Sequence, residues 1–509
     1  MKTNNPFVDE ARDLASRTTT ENGAIAYKNT SNCLVDLFGV IGGLRSDISG
    51  GNVQRLYTLI DGAYATDRTL LAKMLFYSRD VRGGLGERNV FREAIKYCAE
   101  KYPEIIRCNI PLIPEYGRWD DVLSLIGTPL EDDMWAFVKQ TYDQDLLAVK
   151  NGSKAFSLLA KWLPSADASS ENTRRRGCYA AKRLSDSVYN YKREVKSLRR
   201  VIDTIESHIS ANDWGTYDYS KIPSNAMLKY SSAFIRNDGE RFNQYLSNVS
   251  SGKAKINSAT LYPYDLVRKV MSVSDKSAIA TCETLWENLP NYIGGENNYL
   301  VMADVSGSMM GMPIFSSVGL AIYFAERNKG PFKNLFMTFS ETPVFIELPE
   351  HYSFKQKCRC AFDAPWGSNT NLEAAFDKIL SVAIQSGATQ KDLPKSLIII
   401  TDMEFDRATK GYYVIKRSDV PEREYDMVFF DAMKKKFADA GYEMPNVVFW
   451  NVNSRNDTYH VKADAPCVQL VSGQSTSTFK NLIDGLGKTP YEMMVQILSN
   501  KRYDPVRIE

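Results

Sequence analysis

The stretch Tyr299–Ser308, YLVMADVSGS, decides the fold. Five residues without a charge are followed by an aspartate and then two serines spaced by a single glycine. An unbroken apolar run of strand length, closed by a turn signal, reads as a strand buried on both faces at the centre of a mainly parallel sheet. Four more runs share this character: NLFMTFS (334–340), KSLIIITD (395–402), NVVFWNVN (446–453) and CVQLVSG (467–473). Helical patterns separate them, namely IFSSVGLAIYFAERN (314–328), NLEAAFDKILSVAIQSG (371–387) and DMVFFDAMKKKFADAG (426–441). Alternating strands and helices predict a doubly wound α/β domain over residues 293–476. The segment TFKNLIDGLGKTPYEMMVQILSN (478–500) predicts closing helices, so residues 477–509 form a C-terminal appendix to that domain.

In an open α/β sheet, ligands bind beyond the carboxyl ends of the strands. Three polar clusters fall there: Asp304, Ser306 and Ser308 directly after YLVMA, Thr370 in the loop WGSNTN, and Asp402 at the end of SLIIIT. Two carboxylates and three hydroxyls are hard oxygen donors, suited to Mg²⁺ or Mn²⁺ rather than to a thiol-loving metal. Gly307 is expected to let the backbone turn tightly between the serines. A lone D-x-S-x-S reads equally well as a helix-capping turn, but three clusters in strand order do not. The arrangement resembles the metal-ion-dependent adhesion site of von Willebrand A domains, and the resemblance covers Asn297–Ser475 in a Rossmann-like frame. It implies that Ser306 and Ser308 ligate through their hydroxyls and that Thr370 ligates directly or through water. It also implies that Asp304 and Asp402 act partly through water, with one position open for an acidic group of a partner protein. One departure stands out: many such domains follow the last aspartate with glycine, whereas here Met403-Glu404-Phe405-Asp406 follows. Glu404 and Asp406 read as solvated loop acids, the alternative being that one of them approaches the metal.

Outward from this domain, the preceding 292 residues read as helical. GERNVFREAIKYCAEKYPEI places Val90, Phe91, Ile95 and Cys98 on one face, stopped by Pro103. LEDDMWAFVKQTYDQDLLAVKNG carries acids in its first turn and Asn151-Gly152 at its end, as the helix dipole favours. SKAFSLLAKWLPS predicts a helix ending at Pro164, and IPSNAMLKYSSAF one that starts beside a proline. Further helices are expected near Asp238–Asn248, Tyr262–Ser272 and Ser277–Glu287. Uneven helices with short polar connections predict an α-solenoid or an irregular bundle, and no fixed-period repeat decides between them.

The segments LAKMLFYSRDVRGGLGERNVFREAIKY, IPLIPEYGRWDDVLSL, LAKWLPS, YSKIPSNAMLKY, TDMEFD, VVFWNVN and RYDPV resemble a family of uncharacterised cytosolic and phage proteins that pairs a helical region with an A-type domain. The domain order is similar to that of the Ro ribonucleoproteins, in which a helical-repeat TROVE module is closed by an A-type domain. That similarity implies a HEAT-like helical region and binding of small structured or misfolded RNA. The net charge of +2 leaves such binding to a local patch. One exists: Arg174, Arg175, Arg176, Lys182, Arg183, Lys192, Arg193, Lys196, Arg199 and Arg200, interleaved with Tyr179, Tyr189 and Tyr191. Arginine, lysine and tyrosine together can contact phosphates and stack on unpaired bases. The plainer reading is a solvated helix face.

Other function classes find little support. No apolar stretch has membrane length and the N-terminus lacks a secretory h-region, so a cytoplasmic protein without a membrane partner is expected. Eight scattered cysteines read as reduced and mostly buried, and the pair Cys358–Cys360 lacks companion ligands for zinc. His208, His351 and His460 are the whole histidine complement and read as structural or surface residues, which removes the usual base. RGGLGER (82–88) reads as an interhelical turn, and GLGKT (485–489) fails as a phosphate loop because Leu482 occupies the first glycine position. The expectation is therefore a non-enzymatic RNA-binding protein with a Mg²⁺-binding A-type domain. The alternative is a metal-dependent protein-interaction scaffold.

Overall fold

The computed structural model describes residues 5–153, 155–293, 298–366, 370–405, 429–479 and 487–509. The chain begins with the helix Pro6–Ser16 and a hairpin of β1 (Arg17–Thr19) and β2 (Ile25–Tyr27). Helices then continue to Glu287, after which a six-stranded sheet is built from β3 (Tyr299–Asp304), β4 (Leu335–Phe339), β5 (Phe345–Glu347), β6 (Ser396–Thr401), β7 (Asn446–Asn451) and β8 (Val468–Ser472). The class is α plus α/β, as the alternation of patterns predicted.

The sheet order is β5-β4-β3-β6-β7-β8, with every pair parallel except β4–β5. From β3 the chain steps one way to β4 and the other way to β6, so the order reverses beside β3. Every residue of β3 and β6 is buried, which accounts for their unbroken apolar runs. In β7, adjacent side chains serve opposite faces. Trp450 meets Phe324 of the Met312–Arg327 helix and Phe479, whereas Phe449 meets Phe405 and His460.

The N-terminal residues are part of the α/β unit's packing. Helix Cys33–Val40 and the turn Ile41–Gly43 lie on β8, at the edge of the sheet, and protect it from pairing with another chain. The approach is backbone against backbone. A Cβ on Gly42 would stand 2.6 Å from the Gly473 nitrogen, and one on Gly43 would stand 2.6 Å from the Ser454 nitrogen. Gly42 N–H donates to Ser472 Oγ at 3.0 Å, Ser472 Oγ donates to the Phe38 carbonyl at 3.1 Å, and Ser454 N–H donates to the Gly43 carbonyl at 3.0 Å. Elsewhere, Pro263–Ser272 packs on Met312–Arg327. The C-terminal Arg502 pairs with buried Asp80, and Tyr503 stacks on Tyr116 at 5.8 Å.

Most predicted helices form, with instructive differences. Helix Arg88–Lys101 stops before Pro103, which opens a new short helix, Pro103–Arg107. The two helices expected around Asp238 are one, Ser224–Ser250, kinked where Asp238 leaves helical geometry. SKAFSLLAKWLPS is helical only over Leu159–Trp162. Just before it, Ser157 is tied to Asp145, whose carboxylate accepts from Ser157 N–H at 2.7 Å and Ser157 Oγ at 2.6 Å. The β1–β2 hairpin, β5 and the helix Phe354–Phe362 are additions to the predicted elements. All eight cysteines are free; Cys98, Cys282 and Cys358 are buried, but Cys33 is exposed and the other four are half-buried, so burial is less general than expected. No helix among the described residues is long and apolar enough to cross a membrane.

The contact at β8 gives a direct test. Gly42→Ala forces backbone apart from backbone and is expected to destabilise the protein by about 3 kcal/mol or more in urea denaturation. Gly239→Ala, with open space around its Cβ inside Ser224–Ser250, should leave stability unchanged or raise it by up to about 1 kcal/mol.

Candidate metal centre and basic face

β3 and β6 pair in parallel with Ala303 opposite Ile400, so Asp304 and the Thr401–Asp402 corner emerge side by side at the carboxyl end of the sheet. This is the place where the strand order reverses, the position at which open α/β sheets form their crevice. Asp304 is fully buried. Its Oδ1 accepts from Ser306 N–H at 2.8 Å and its Oδ2 from Thr401 Oγ1 at 2.7 Å. The Ser306 and Ser308 hydroxyls lie 3.0 Å apart in the turn after β3. Thr370 is buried and donates through Oγ1 to the Glu404 carbonyl at 3.1 Å, while Glu404 N–H donates to Asp402 Oδ1 at 3.3 Å. The five predicted residues therefore meet at one end of the sheet. Thr401, which holds Asp304 in place, is an addition; its small hydroxyl in an apolar run was the only sign of it.

The electrostatics of this corner are unbalanced. Burial first, and then the charge of Asp402, push the Asp304 carboxyl up to about 7. Burial raises Asp402 as well, opposed by the facing Ser308 hydroxyl and by Arg455. Asp402 Oδ2 is buried without a hydrogen-bond partner. Arg455 comes closest, at 3.7 Å, and is the one side-chain cation paired with either aspartate among the described residues. Two desolvated carboxylates and an orphaned oxygen fit a cation of hard-oxygen preference. The donor set accordingly fits Mg²⁺ or Mn²⁺.

The residues after Asp402 depart from the sequence expectation. Met403 adopts φ +71°, the left-handed region in which glycine is at ease, so methionine here carries strain of about 1 kcal/mol. The strained turn is held from both sides: Met403 N–H donates to Thr401 Oγ1 at 3.1 Å and its carbonyl accepts from His460 Nε2 at 2.9 Å. Glu404 is neither a solvated acid nor turned to the metal corner. It is buried and accepts from Glu21 N–H at 2.8 Å, Asn456 Nδ2 at 3.1 Å and Thr458 Oγ1 at 3.3 Å. Thr20 Oγ1 and Asn22 Nδ2 reach the Phe405 and Glu404 carbonyls at 2.6 Å and 2.8 Å, so the β1–β2 turn is clasped to the acidic corner. Asp406 and residues 367–369 lie outside the described residues. Gly307 has open space around its Cβ and no positive φ; the unusual conformation belongs to Gly311, at φ +93°.

The histidines hold structural places. His208 bridges Asp203 and Asp213, His351 is exposed, and His460 is buried against Phe405. The glycine-rich RGGLGER is an interhelical turn, in which a Cβ on Gly84 would collide with the Tyr77 carbonyl. In GLGKT, of which residues 487–489 are described, Thr489 caps the helix Pro490–Leu498.

The ten predicted bases divide. They lie on the helices Glu171–Leu184 and Val188–Ile202. Arg199 is a structural brace: it donates to the Ala160 carbonyl at 2.9 Å, the Leu163 carbonyl at 2.5 Å and Ser165 Oγ at 2.8 Å, fixing the LAKWLPS segment. Arg183 pairs with Asp132 beside Trp135, Arg175 with Glu171 at 2.6 Å, and Lys192 with Asp167 at 3.1 Å. Tyr191 is buried with its hydroxyl on the Pro164 carbonyl, and Tyr179 is bound to Glu131, so neither is offered to a base. Arg174, Arg176, Lys182, Arg193, Lys196 and Arg200 remain exposed. Tyr189, 74% exposed, stands with Arg193, Lys196 and Arg200 at helical spacing on one stripe. Tyr191, Val195 and Leu198 point the other way, into the core.

Known proteins share parts of this architecture. Residues 298–503 match the family described as Domain of unknown function (DUF7788), and residues 20–145 and 169–289 match Domain of unknown function (DUF2828). The chain is 27% identical over 545 residues to Uncharacterized protein L728 of Acanthamoeba polyphaga mimivirus, covering 97% of this chain and 89% of that protein. Among solved structures, it is similar to the crystal structure of the Deinococcus radiodurans RO (RSR) protein, with TM-score 0.43 and 13% identity over 89% of this chain and 99% of that one.

The His460 environment sets a pH response. Burial lowers His460 to about 4, against an ordinary value of 6.5. The unfolded chain therefore takes up this proton first, so its stabilising share is complete above pH 6.5 and is lost as pH falls toward 4. Between pH 7 and pH 4 the wild type should lose about 3 kcal/mol more than His460→Gln, measured by denaturant titration at each pH.

Proposed function

We propose that this is a non-catalytic binding protein. In this reading its α/β unit acts as a von Willebrand A-type module for Mg²⁺ or Mn²⁺, and its helical half binds RNA in a Ro-like manner. The observation that carries the metal reading is Asp402 Oδ2, an orphaned oxygen inside a corner that already holds the Asp304 carboxylate. A divalent ion would be held by Asp304, Ser306, Ser308, Thr370 and Asp402, and would supply positive charge with an open position for an acidic group. Thr401 and the Ser306 amide keep Asp304 oriented, and the Glu404 amide does the same for Asp402. A binding role rather than chemistry is supported by His460, the histidine nearest this corner, which is buried, neutral and committed to the Met403 carbonyl.

RNA binding is favoured by the stripe on Val188–Ile202. Three exposed cations in line with one exposed ring suit an unpaired strand, with phosphates on the cations and a base on Tyr189. Stacking of that kind contributes about 1–3 kcal/mol per base. The other reading makes the protein a scaffold in which a partner's carboxylate completes the metal shell and the helices only support it.

Mn²⁺ binding, followed by the loss of the free-ion signal in electron paramagnetic resonance, should be abolished in Asp304→Ala. Unchanged Mn²⁺ uptake in that variant sinks the metal reading. Reversal of Arg193, Lys196 and Arg200 to glutamate should weaken binding of a single-stranded RNA at least tenfold and lower its salt slope by about 2. Absence of RNA affinity in the wild type leaves the scaffold reading, which then requires Mg²⁺-dependent capture of an acidic protein.

A further inference from the structure

Arg455 occupies a singular place beside the metal corner, and any role for it there rests on the metal reading of that corner. It sits in the loop after β7 with one guanidinium nitrogen 3.7 Å from Asp402 Oδ2 and the other 2.9 Å from Glu21 Oε2. The contact with Asp402 is too long for a hydrogen bond, while the contact with Glu21 is a close ion pair. Glu21 is itself fixed, because its amide donates to Glu404 Oε2 at 2.8 Å. The Asp402 side chain is 0% exposed and Arg455 is 35% exposed, so the guanidinium reaches the buried oxygen from the solvent side. An ordinary surface ion pair has both partners in water and contributes little. Here one partner is buried, and its Oδ2 has no hydrogen-bond partner.

We propose that Arg455 is a tethered internal antagonist of the divalent ion. The guanidinium answers part of the Asp402 charge, repels an incoming cation, and so holds the affinity of the site below what its carboxylates alone would give. Glu21 restrains it: the more strongly Glu21 holds Arg455, the less it leans on Asp402. The metal affinity of the α/β unit is thereby tied to the N-terminal hairpin, 381 residues away in sequence from Asp402 (402 minus 21).

The two partners of Arg455 predict opposite effects. In Mn²⁺ titrations of the full-length protein, Arg455→Gln should tighten binding roughly fivefold to tenfold, the scale of one unit charge near the site in a water-like dielectric. Glu21→Gln should weaken it about twofold to fivefold, since the released guanidinium falls back on Asp402. Arg455→Lys keeps the charge and should stay within about twofold of wild type, which separates charge from packing; thermal unfolding checks that each variant is folded. The proposal is overturned by an Arg455→Gln affinity equal to or weaker than wild type, or by a Glu21→Gln affinity at or above it. If neither wild type nor any variant binds Mn²⁺, the metal reading fails, and the inference with it. If the wild type binds and only the directions are wrong, the metal reading stands without this role for Arg455.

Discussion

A parallel sheet whose strands are apolar on both faces must be covered on both faces and along its exposed edge. In this protein part of that cover comes from the first forty-three residues. Helix Cys33–Val40 and Gly42–Gly43 close on β8 at a separation only glycine allows, and the hydroxyls of Ser472 and Ser454 stitch the two backbones together. The beginning of the chain is thus packed on its last strand. The C-terminal segment repeats the logic from the other side: Arg502 and Tyr503 close on Asp80 within the helical region. Helical half and α/β half are thus joined by contacts of very long sequence separation, and the acidic corner is built inside that closure.

Buried charge sets the Asp304–Asp402 corner apart. Several other buried acids among the described residues are answered on the spot. Asp121 meets Arg79 and Arg92, Asp80 meets Arg502, and Glu87 meets Arg45. Glu404 has no cation but receives three hydrogen bonds. Burial of a carboxylate without such answers is expensive. Asp304 and Asp402 differ in kind, since two carboxylates share one desolvated space, each raises the energy of the other, and Arg455 only leans in from the edge. Two carboxylates gathered in one desolvated corner and left short of positive charge are the observation on which the proposal of an ion there rests.

The sheet, five of its six strands and the gathering of the five corner residues are legible in the sequence because their signals are local. A short apolar run bounded by turn signals reads as a buried strand, and polar clusters at the carboxyl ends of such strands come together where the strand order reverses. The misses share a cause. Glu404 and Arg199 look like solvated charges in the sequence, and their burial is decided by partners hundreds or tens of residues away, Glu21 and the Ala160–Ser165 segment. Ala155–Ser157 has helical composition, but the Ser157 amide is taken by Asp145. The β1–β2 hairpin is three residues per strand, too short for any period to register.

Met403 ties the metal corner to the rest of the chain. A glycine would satisfy φ +71° without strain, yet the position holds a buried methionine whose amide and carbonyl are both bound, by Thr401 and His460. Those two residues also do other work: Thr401 orients Asp304, and His460 packs on Phe405, whose carbonyl takes the Thr20 hydroxyl. The turn after Asp402 is consequently over-determined, locked to β3 on one side and to the N-terminal hairpin on the other. A backbone held in an unfavourable conformation by surrounding contacts persists only while those contacts do. The position of Asp402 thus depends on the docking of residues 20–22, which makes the hairpin an integral part of the corner rather than a covering over it.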